Sequence, residues 1–185
     1  TGLPTCNASG ASTVSALEVV YEADVKTTVP AGVALTPSDC LGNALPAAGA
    51  IYIARNRYFV DTSAGGRPEL YCASNASAKQ PLLENVDDMQ IWYGVVASAA
   101  PTQIVRYAKA GKDATTANTV NAQGAGEWDN VMSVRLCLLM RSAEPVLTPE
   151  DKQTYLDCNS TSVTYTDRYL RRAYFTTAAV RIKMG

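Results

Sequence analysis

Cysteine is the residue type whose spacing in this chain says most about chemistry. No two cysteines are closer than 21 positions, which excludes the C-x-x-C spacing of redox motifs and zinc ribbons. The chain has no histidine, so histidine-based catalytic triads and histidine metal sites are excluded too. Scattered cysteines without histidine are typical of structural disulfides in an oxidising compartment; buried free thiols in a cytosolic protein are the alternative. The positions are Cys6, Cys40, Cys72, Cys137 and Cys158.

The strand pattern around these cysteines predicts two disulfide pairs. Cys40 precedes the second predicted strand and Cys72 ends the next strand of the same hairpin, so we expect these two to be bonded. Cys137 lies on the strongest predicted core strand and Cys158 follows a segment that returns to it, so we expect the second bond there. Pairings that include Cys6 stay open, and an odd count leaves one thiol unpaired in a monomer.

A cluster of carboxylates stands at Glu84, Asp87 and Asp88. It does not show two carboxylates held across a pocket, as glycosidases require, and the D-x-D-x-D-G calcium pattern is absent. A solvated face or loop is the commoner role of such a cluster. Gly65 and Gly66 stand alone in a turn, so no phosphate-binding glycine loop is present. We therefore expect a protein that is not an enzyme, with no metal site and no cofactor.

Two further residue groups could bind ligands. Trp92 and Trp128 could form a platform for sugar rings, or each could anchor the core beside a strand. Residues 166–185 carry a local formal charge of +4, and the candidate partner or DNA contacts there are Arg171, Arg181 and Lys183. A solvated sheet face with local ion pairs is the alternative, and the net charge of -1 does not favour nucleic acid as a partner.

Alternating apolar and polar residues predict that strands position these groups. The predicted strands are 15–25, 50–61, 69–73, 131–141 and 169–184, with a turn at 63–68 and, in 81–96, a short turn feeding a strand. Residues 98–126 are predicted to be an exposed loop with a short strand at 104–107. Thr148 and Pro149 predict the start of a brief helix.

The last strand is predicted to have one buried and one exposed face. Its inward residues are predicted to be Leu170, Tyr174, Ala178, Val180, Ile182 and Met184; its outward residues are predicted to be Arg171, Thr177, Arg181 and Lys183. With 185 residues and 47% apolar residues, the chain is expected to form one globular domain over residues 1–185. The fold class expected is α+β and strongly β-rich, with antiparallel sheets, long loops and little helix.

Four segments in order resemble the PilW family of type IV pilus minor pilins. They read SDCLG at 38–42, PLLENVDDMQIWYG at 81–94, WDNVMSVRLCLLMRS at 128–142 and DRYLRRAYFTTAAVR at 167–181. The likeness extends from about Leu17 onward. Residues 95–98 replace an acidic, glycine-containing stretch that the family often carries there, which puts a cation site at this place in doubt.

The resemblance implies a pilin-like head, similar to that of J-type pseudopilins. It implies an apolar helix that anchors the subunit in the bacterial inner membrane, facing the periplasm, and later packs in the pilus; that helix is missing from this chain. It also implies a place at the extracellular pilus tip in a priming complex that supports pilus biogenesis, adhesion and twitching motility. The implied partners are other minor pilins, the major pilin and a large tip adhesin.

Three other functions remain open. A type II secretion pseudopilin of the J type has a similar head. A minor pilin for DNA uptake would present the basic C-terminal residues together on an exposed face. A secreted carbohydrate-binding module would use Trp92 and Trp128.

Overall fold

The computed structural model describes residues 16–32, 35–97, 100–111, 119–121 and 128–180. These residues form twelve strands and one short 3₁₀ helix, Trp128–Asn130. The strands are β1 Ala16–Ala23, β2 Ala47–Ala48, β3 Ile51–Thr62, β4 Pro68–Ser74, β5 Gln80–Glu84, β6 Val86–Ala97, β7 Ala100–Gly111, β8 Thr119–Asn121, β9 Val131–Arg141, β10 Gln153–Leu156, β11 Ser162–Tyr165 and β12 Arg171–Ala179.

The first sheet is antiparallel with the strand order β1-β3-β4-β5, and β2 pairs with β3. A tight turn joins β3 to β4, where Gly66 has φ 76° and its N–H bonds the Ser63 carbonyl at 2.9 Å. Glycine suits this place because a side chain disfavours positive φ. The hairpin predicted at this turn is therefore confirmed.

The second sheet has the order β12-β9-β6-β7-β8, and every pairing in it is antiparallel except β7 with β8. Asn85, with φ 61°, separates β5 from β6 and lets the chain pass from one sheet to the other. Val86 and Met89, directly after this switch, are among the most buried side chains. The two apolar strands β6 and β9 thus lie next to each other inside the second sheet.

Two disulfides tie irregular segments to the sheets. Cys40 is bonded to Cys72 of β4 with a Cα–Cα distance of 6.6 Å, and Cys137 of β9 is bonded to Cys158 at 5.7 Å. These are the two pairs expected from the sequence. Beside Cys40, the buried Asp39 carboxylate accepts hydrogen bonds from the N–H groups of Leu41 and Asn43 and from the hydroxyls of Ser74 and Ser77.

Three local predictions are wrong. Residues 80–84 form strand β5 rather than a turn, and the short strand expected at 104–107 is the twelve-residue strand β7. The helix expected at Thr148 is a single turn, in which Asp151 accepts hydrogen bonds from the Thr148 N–H at 3.0 Å and hydroxyl at 2.9 Å. Within the described residues the structure contains no α-helix, so the fold is β-rich and the α+β expectation is not met.

The prediction for β12 is wrong at the start of the strand, where Arg171 is buried, and most later side chains of the strand are exposed on both faces. Arg171 is 6% exposed, whereas Leu170 and Tyr174 are 45% and 54% exposed and Ala178 is exposed. At the start of the strand the small hairpin of β10 and β11 covers the Arg171 side chain, with the Tyr165 ring centre 4.0 Å from its guanidinium carbon. Thr177 is exposed as expected and Val180 is half-buried; residues 181–185, with Ile182 and Met184, lie outside the described residues.

Candidate binding face

One face of the second sheet carries the small hairpin β10–β11. The register places Trp92 opposite Arg135 and Cys137 opposite Phe175, so these four side chains emerge on the same face. The Cys137–Cys158 bond attaches the hairpin to this face. We call it the hairpin face. Arg172 and Tyr174 of β12 alternate with Phe175 and emerge on the opposite face of the sheet.

The disulfide lies in a small buried cluster under the hairpin. Cys137, Leu139 and Cys158 are all buried, and Trp92, Tyr155 and Ala173 pack against them. The tip of the hairpin, with Asn159 and Ser160, is held above the sheet by this cluster. Asp157 stiffens the tip by accepting hydrogen bonds from the N–H groups of Asn159 and Thr161, both at 2.8 Å.

On one side of the tip is a pocket of about 240 Å³, which we call the Arg135 pocket. Its walls are Trp92, Tyr107, Arg135, Cys158, Asn159, Ser160 and Phe175. The Arg135 guanidinium carbon lies over the Phe175 ring, 5.0 Å from its centre, and over the Tyr107 ring at 5.6 Å. Two aromatic rings from different strands therefore hold this cation by cation–π attraction.

Arg135 has no carboxylate partner among the residues that the structure describes. The described residues of the pocket wall include no acidic side chain, and they supply the donors of the Arg135 guanidinium, the Asn159 amide, and the Ser160 and Tyr107 hydroxyls. The Asn159 side-chain oxygen is occupied by Lys109 Nζ at 2.8 Å, so its amide nitrogen is the group left to bond outward. The wall is thus rich in donors and positive.

Gly94 of β6 makes room for one of the aromatic walls. A Cβ atom at this position would lie 2.2 Å from Ser133 Oγ and 3.2 Å from Tyr107 Cε1. The Tyr107 ring therefore lies against bare backbone, in a place that any other residue would fill. This close approach explains the glycine in the middle of a long strand.

On the other side of the tip is a hollow around Arg171 and Asp87. Arg171 Nε donates to Asp87 Oδ2 at 2.6 Å, and its two terminal nitrogens bind both oxygens of Asp167. Arg141 Nε lies 3.6 Å from the other Asp87 oxygen. The Tyr165 ring centre is 4.0 Å from the Arg171 guanidinium carbon. The buried cation is fully enclosed by partners.

These contacts determine how the hollow titrates. The hydrogen bond from Arg171 holds the pKa of Asp167 below its usual range, against a smaller opposing effect of burial. Burial alone would lower the pKa of Arg171, but the hydrogen bonds and charges of Asp167 and Asp87 together raise it. Burial, with a side-chain hydrogen bond that the Tyr155 hydroxyl makes to Tyr165, raises the pKa of Tyr155. The Arg171–Asp167 ion pair therefore stays charged across neutral pH.

The structure changes the interpretation of the candidate contacts. Arg171 is buried and paired, so it does not offer a free cation to DNA or a partner; Arg181 and Lys183 lie outside the described residues. Glu84 is exposed on β5, Asp87 is paired with Arg171, and Asp88 accepts two hydrogen bonds from Gln90. In the described part of the chain, no three acidic or cysteine side chains converge as metal ligands.

The structure does not bring the two tryptophans together, and each packs against a different core cluster. Trp92 is on the hairpin face, whereas Trp128 contacts Tyr93, whose side chain emerges on the opposite face, with the ring centres 4.7 Å apart. The residues that sequence reasoning missed are Tyr107, Arg135 and Phe175, which come from three strands. The alternation of apolar and polar residues places each of them on a strand. They become neighbours only through the register of β7, β6, β9 and β12, which joins residues as far apart as Tyr107 and Phe175, 68 positions along the chain.

Comparison with known proteins places the chain in a family. No curated protein and no solved structure matches it. Across the described ranges, the structure has no helix with the length and apolarity needed to cross a bilayer. A family model described as Type IV Pilus-assembly protein W matches residues 57–181, about two thirds of the chain, including β4 to β12 and both walls of the Arg135 pocket. The chain therefore belongs to the PilW family of type IV pilus-assembly proteins.

Proposed function

We propose that this protein is a minor pilin, a non-enzymatic subunit that helps to prime type IV pilus assembly at the pilus tip. The observation that carries the proposal is the family match over residues 57–181. In this role the subunit is held in the bacterial inner membrane by an apolar helix, faces the periplasm, and reaches the cell exterior on the pilus tip. Its partners are other minor pilins, the major pilin and a large tip adhesin.

Open sheet edges support an assembly role. Among the described residues, β7 pairs with β8 only from Lys109 to Gly111, and no described strand pairs with the outer edge of β7 at Gln103–Val105. Val105 on this edge is 57% exposed, and Ile104 and Tyr107 beside it are also exposed. A free edge with apolar side chains can pair with a strand of a neighbouring subunit.

A lysine on the edge tests this contact. We expect Val105→Lys in the membrane-anchored protein to reduce the number of surface pili and co-purification with its operon-neighbour minor pilins, because an edge lysine opposes strand pairing. The matched control is Val146→Lys, which changes a valine of equal exposure, 56%, in a loop away from β7. Equal loss with both variants would contradict a contact at β7, and full piliation of a deletion strain would contradict the assembly role itself.

The structure weakens the alternative of DNA uptake, because one of its three candidate DNA contacts is already paired inside the protein. Arg171 was the candidate contact that the structure describes, and its guanidinium is engaged by Asp87 and Asp167. We therefore propose assembly, rather than DNA binding, as the function of this head. Retention on duplex DNA at physiological salt would favour DNA uptake instead.

A further inference from the structure

We propose that the Arg135 pocket binds a carboxylate-bearing sugar, in which the acid group pairs with Arg135 and the ring packs on Tyr107 and Phe175. This inference goes beyond the assembly role, since it concerns a ligand site on the hairpin face rather than the free edge of β7. The first observation is that Arg135 differs from the other arginines on this face in its ion-pair partners. Its neighbours of the same type, Arg171 and Arg141, both lie within 4 Å of Asp87, as their distances of 2.6 and 3.6 Å show.

Arg135 is half-buried and yet has no carboxylate partner among the described residues. Contacts with Tyr107 and Phe175 restrict its side chain, so little conformational freedom remains to be lost when an anion binds. Guanidinium groups favour carboxylates because two N–H groups can donate in parallel to the two oxygens. The pocket thus holds a preorganised cation ready for an acid group.

The remaining walls fit the body of a sugar. Tyr107 and Phe175 are 37% and 45% exposed, so each ring leaves apolar surface open to a ligand. The Asn159 amide and the Ser160 hydroxyl also line the pocket and can bond hydroxyl groups of a ligand. A volume of about 240 Å³ is below the roughly 300–1,000 Å³ of sites for drug-sized ligands, so the pocket fits one ring.

An acidic peptide would match the charge alone. A glutamate or aspartate side chain brings its carboxylate on a flexible aliphatic stem and has no hydroxyl groups for Asn159 and Ser160. A sugar acid brings a carboxylate, hydroxyls and a rigid ring in one unit, which uses all three parts of the wall. We therefore infer the sugar acid as the ligand class, and the peptide becomes an outcome of the test.

The test measures binding of three probes to the 185-residue chain by NMR titration. The probes are a trigalacturonate, the same trisaccharide with its carboxyl groups methyl-esterified, and a triglutamate peptide. We expect the trigalacturonate to bind with a Kd of about 1 mM, typical of a ligand that occupies one small site. The ester and the peptide are expected to bind at least tenfold more weakly.

Two variants and two matched controls locate the site. Arg135→Gln is expected to weaken trigalacturonate binding at least tenfold, and Phe175→Leu several-fold. The controls are Arg172→Gln and Tyr174→Leu, since Arg172 also lies over an exposed ring, Tyr174, at 5.7 Å, but outside the Arg135 pocket. Both controls are expected to keep wild-type affinity, and amide spectra verify that all four variants are folded.

The outcomes separate the proposals. Equal binding of the ester would show that the carboxylate is not recognised, and tighter binding of triglutamate would assign the pocket to a protein partner; either result overturns the proposal, as does binding of none of the probes. Loss of binding in Arg172→Gln would place the site elsewhere. Piliation of the Arg135→Gln strain is expected to be normal, so this proposal and the assembly role can fail separately.

Discussion

Arg135 and Arg171 lie on the same sheet, on the two sides of the β10–β11 hairpin, and their guanidinium groups have opposite surroundings. Arg171 is 6% exposed and is bound by Asp87 and Asp167, while aromatic rings and donors surround Arg135. Removing one partner of a buried ion pair leaves an unpaired charge and costs stability. A cation without an internal partner carries no such penalty and can serve a ligand. The same residue type thus has a structural role in one region and a binding role in the other.

The Cys137–Cys158 bond holds the hairpin between these regions, and its loss should have the largest effect. We expect Cys137→Ser with Cys158→Ser to lower the free energy of unfolding by about 3 kcal/mol, because the bond closes a loop of 21 positions. The pocket should suffer more than the hollow, since Asn159 and Ser160 are on the hairpin tip and Asp87 and Asp167 are not. Urea unfolding measures the loss of stability, and trigalacturonate titration measures the damage to the Arg135 pocket. Unchanged binding would show that the tip does not form the pocket wall.

Removal of Arg171 should have the next largest effect. We expect Arg171→Leu to lower the free energy of unfolding by about 2–3 kcal/mol, somewhat below the value for a fully buried pair, because the Asp167 side chain is 40% exposed. The exposed neighbour Arg172 supplies the control, and Arg172→Leu should change stability by less than about 0.5 kcal/mol. Urea unfolding of both variants gives the comparison. Equal effects would mean that the Asp87 and Asp167 contacts do not stabilise the fold.

The sequence predicted where most strands lie because alternation depends on neighbouring residues. Ranges 50–61 and 131–141 match β3 and β9 to within a residue or two. It did not predict the burial of Arg171 at the start of β12, since that depends on the separate hairpin. The Gln153 side chain accepts a hydrogen bond from the Arg171 N–H and donates one to its carbonyl. Apolar residues at 170 and 174 therefore predicted burial wrongly.

The residues that usually begin a helix gave a wrong prediction at Thr148, because a single turn satisfies the same polar groups as well as a helix does. Thr148, Pro149 and Asp151 would begin a helix, but one turn already satisfies the Thr148 N–H and hydroxyl. The candidate site was harder to predict, because Trp92, Arg135 and Phe175 become neighbours only through strand register. Cys137 and Cys158 were predictable, since a pairing within one returning segment needs no knowledge of the sheet order.

Asp39 extends the comparison to a buried charge that is satisfied by neutral donors. Burial would raise its pKa, but hydrogen bonds from Ser74, Ser77, Asn43 and Leu41 together lower it. A carboxyl group whose pKa is lower in the folded chain stabilises the fold above its unfolded pKa, and the contribution is lost as the pH falls through the folded value. We expect Asp39→Asn to cost about 1–2 kcal/mol at pH 7, because its amide cannot accept all these bonds.

The pH dependence checks the cause of that loss. Stability of the wild-type chain should be nearly constant from pH 7 to 5 and should fall below about pH 4, where Asp39 and Asp167 take up protons. The fall should be smaller in Asp39→Asn, which has no proton to gain at that site. Urea unfolding at a series of pH values measures both curves. Parallel curves would show that Asp39 titrates alike in the folded and unfolded chain.

The smallest effect on stability is expected at Arg135. Arg135→Gln removes contacts with Tyr107 and Phe175 that are worth about 0.5–1 kcal/mol in total for a partly exposed cation, and it leaves no carboxylate without a partner. The free energy of unfolding should therefore fall by less than about 1 kcal/mol, roughly a third of the effect at Arg171. Urea unfolding of the Arg135→Gln protein measures its loss of stability, and trigalacturonate titration of the same sample measures its loss of affinity. A small loss of stability with a large loss of binding is the result that a binding role requires, because a structural cation such as Arg171 would show the reverse. If Arg135→Gln instead unfolds as readily as Arg171→Leu, the two arginines have the same role and the comparison between the regions is wrong.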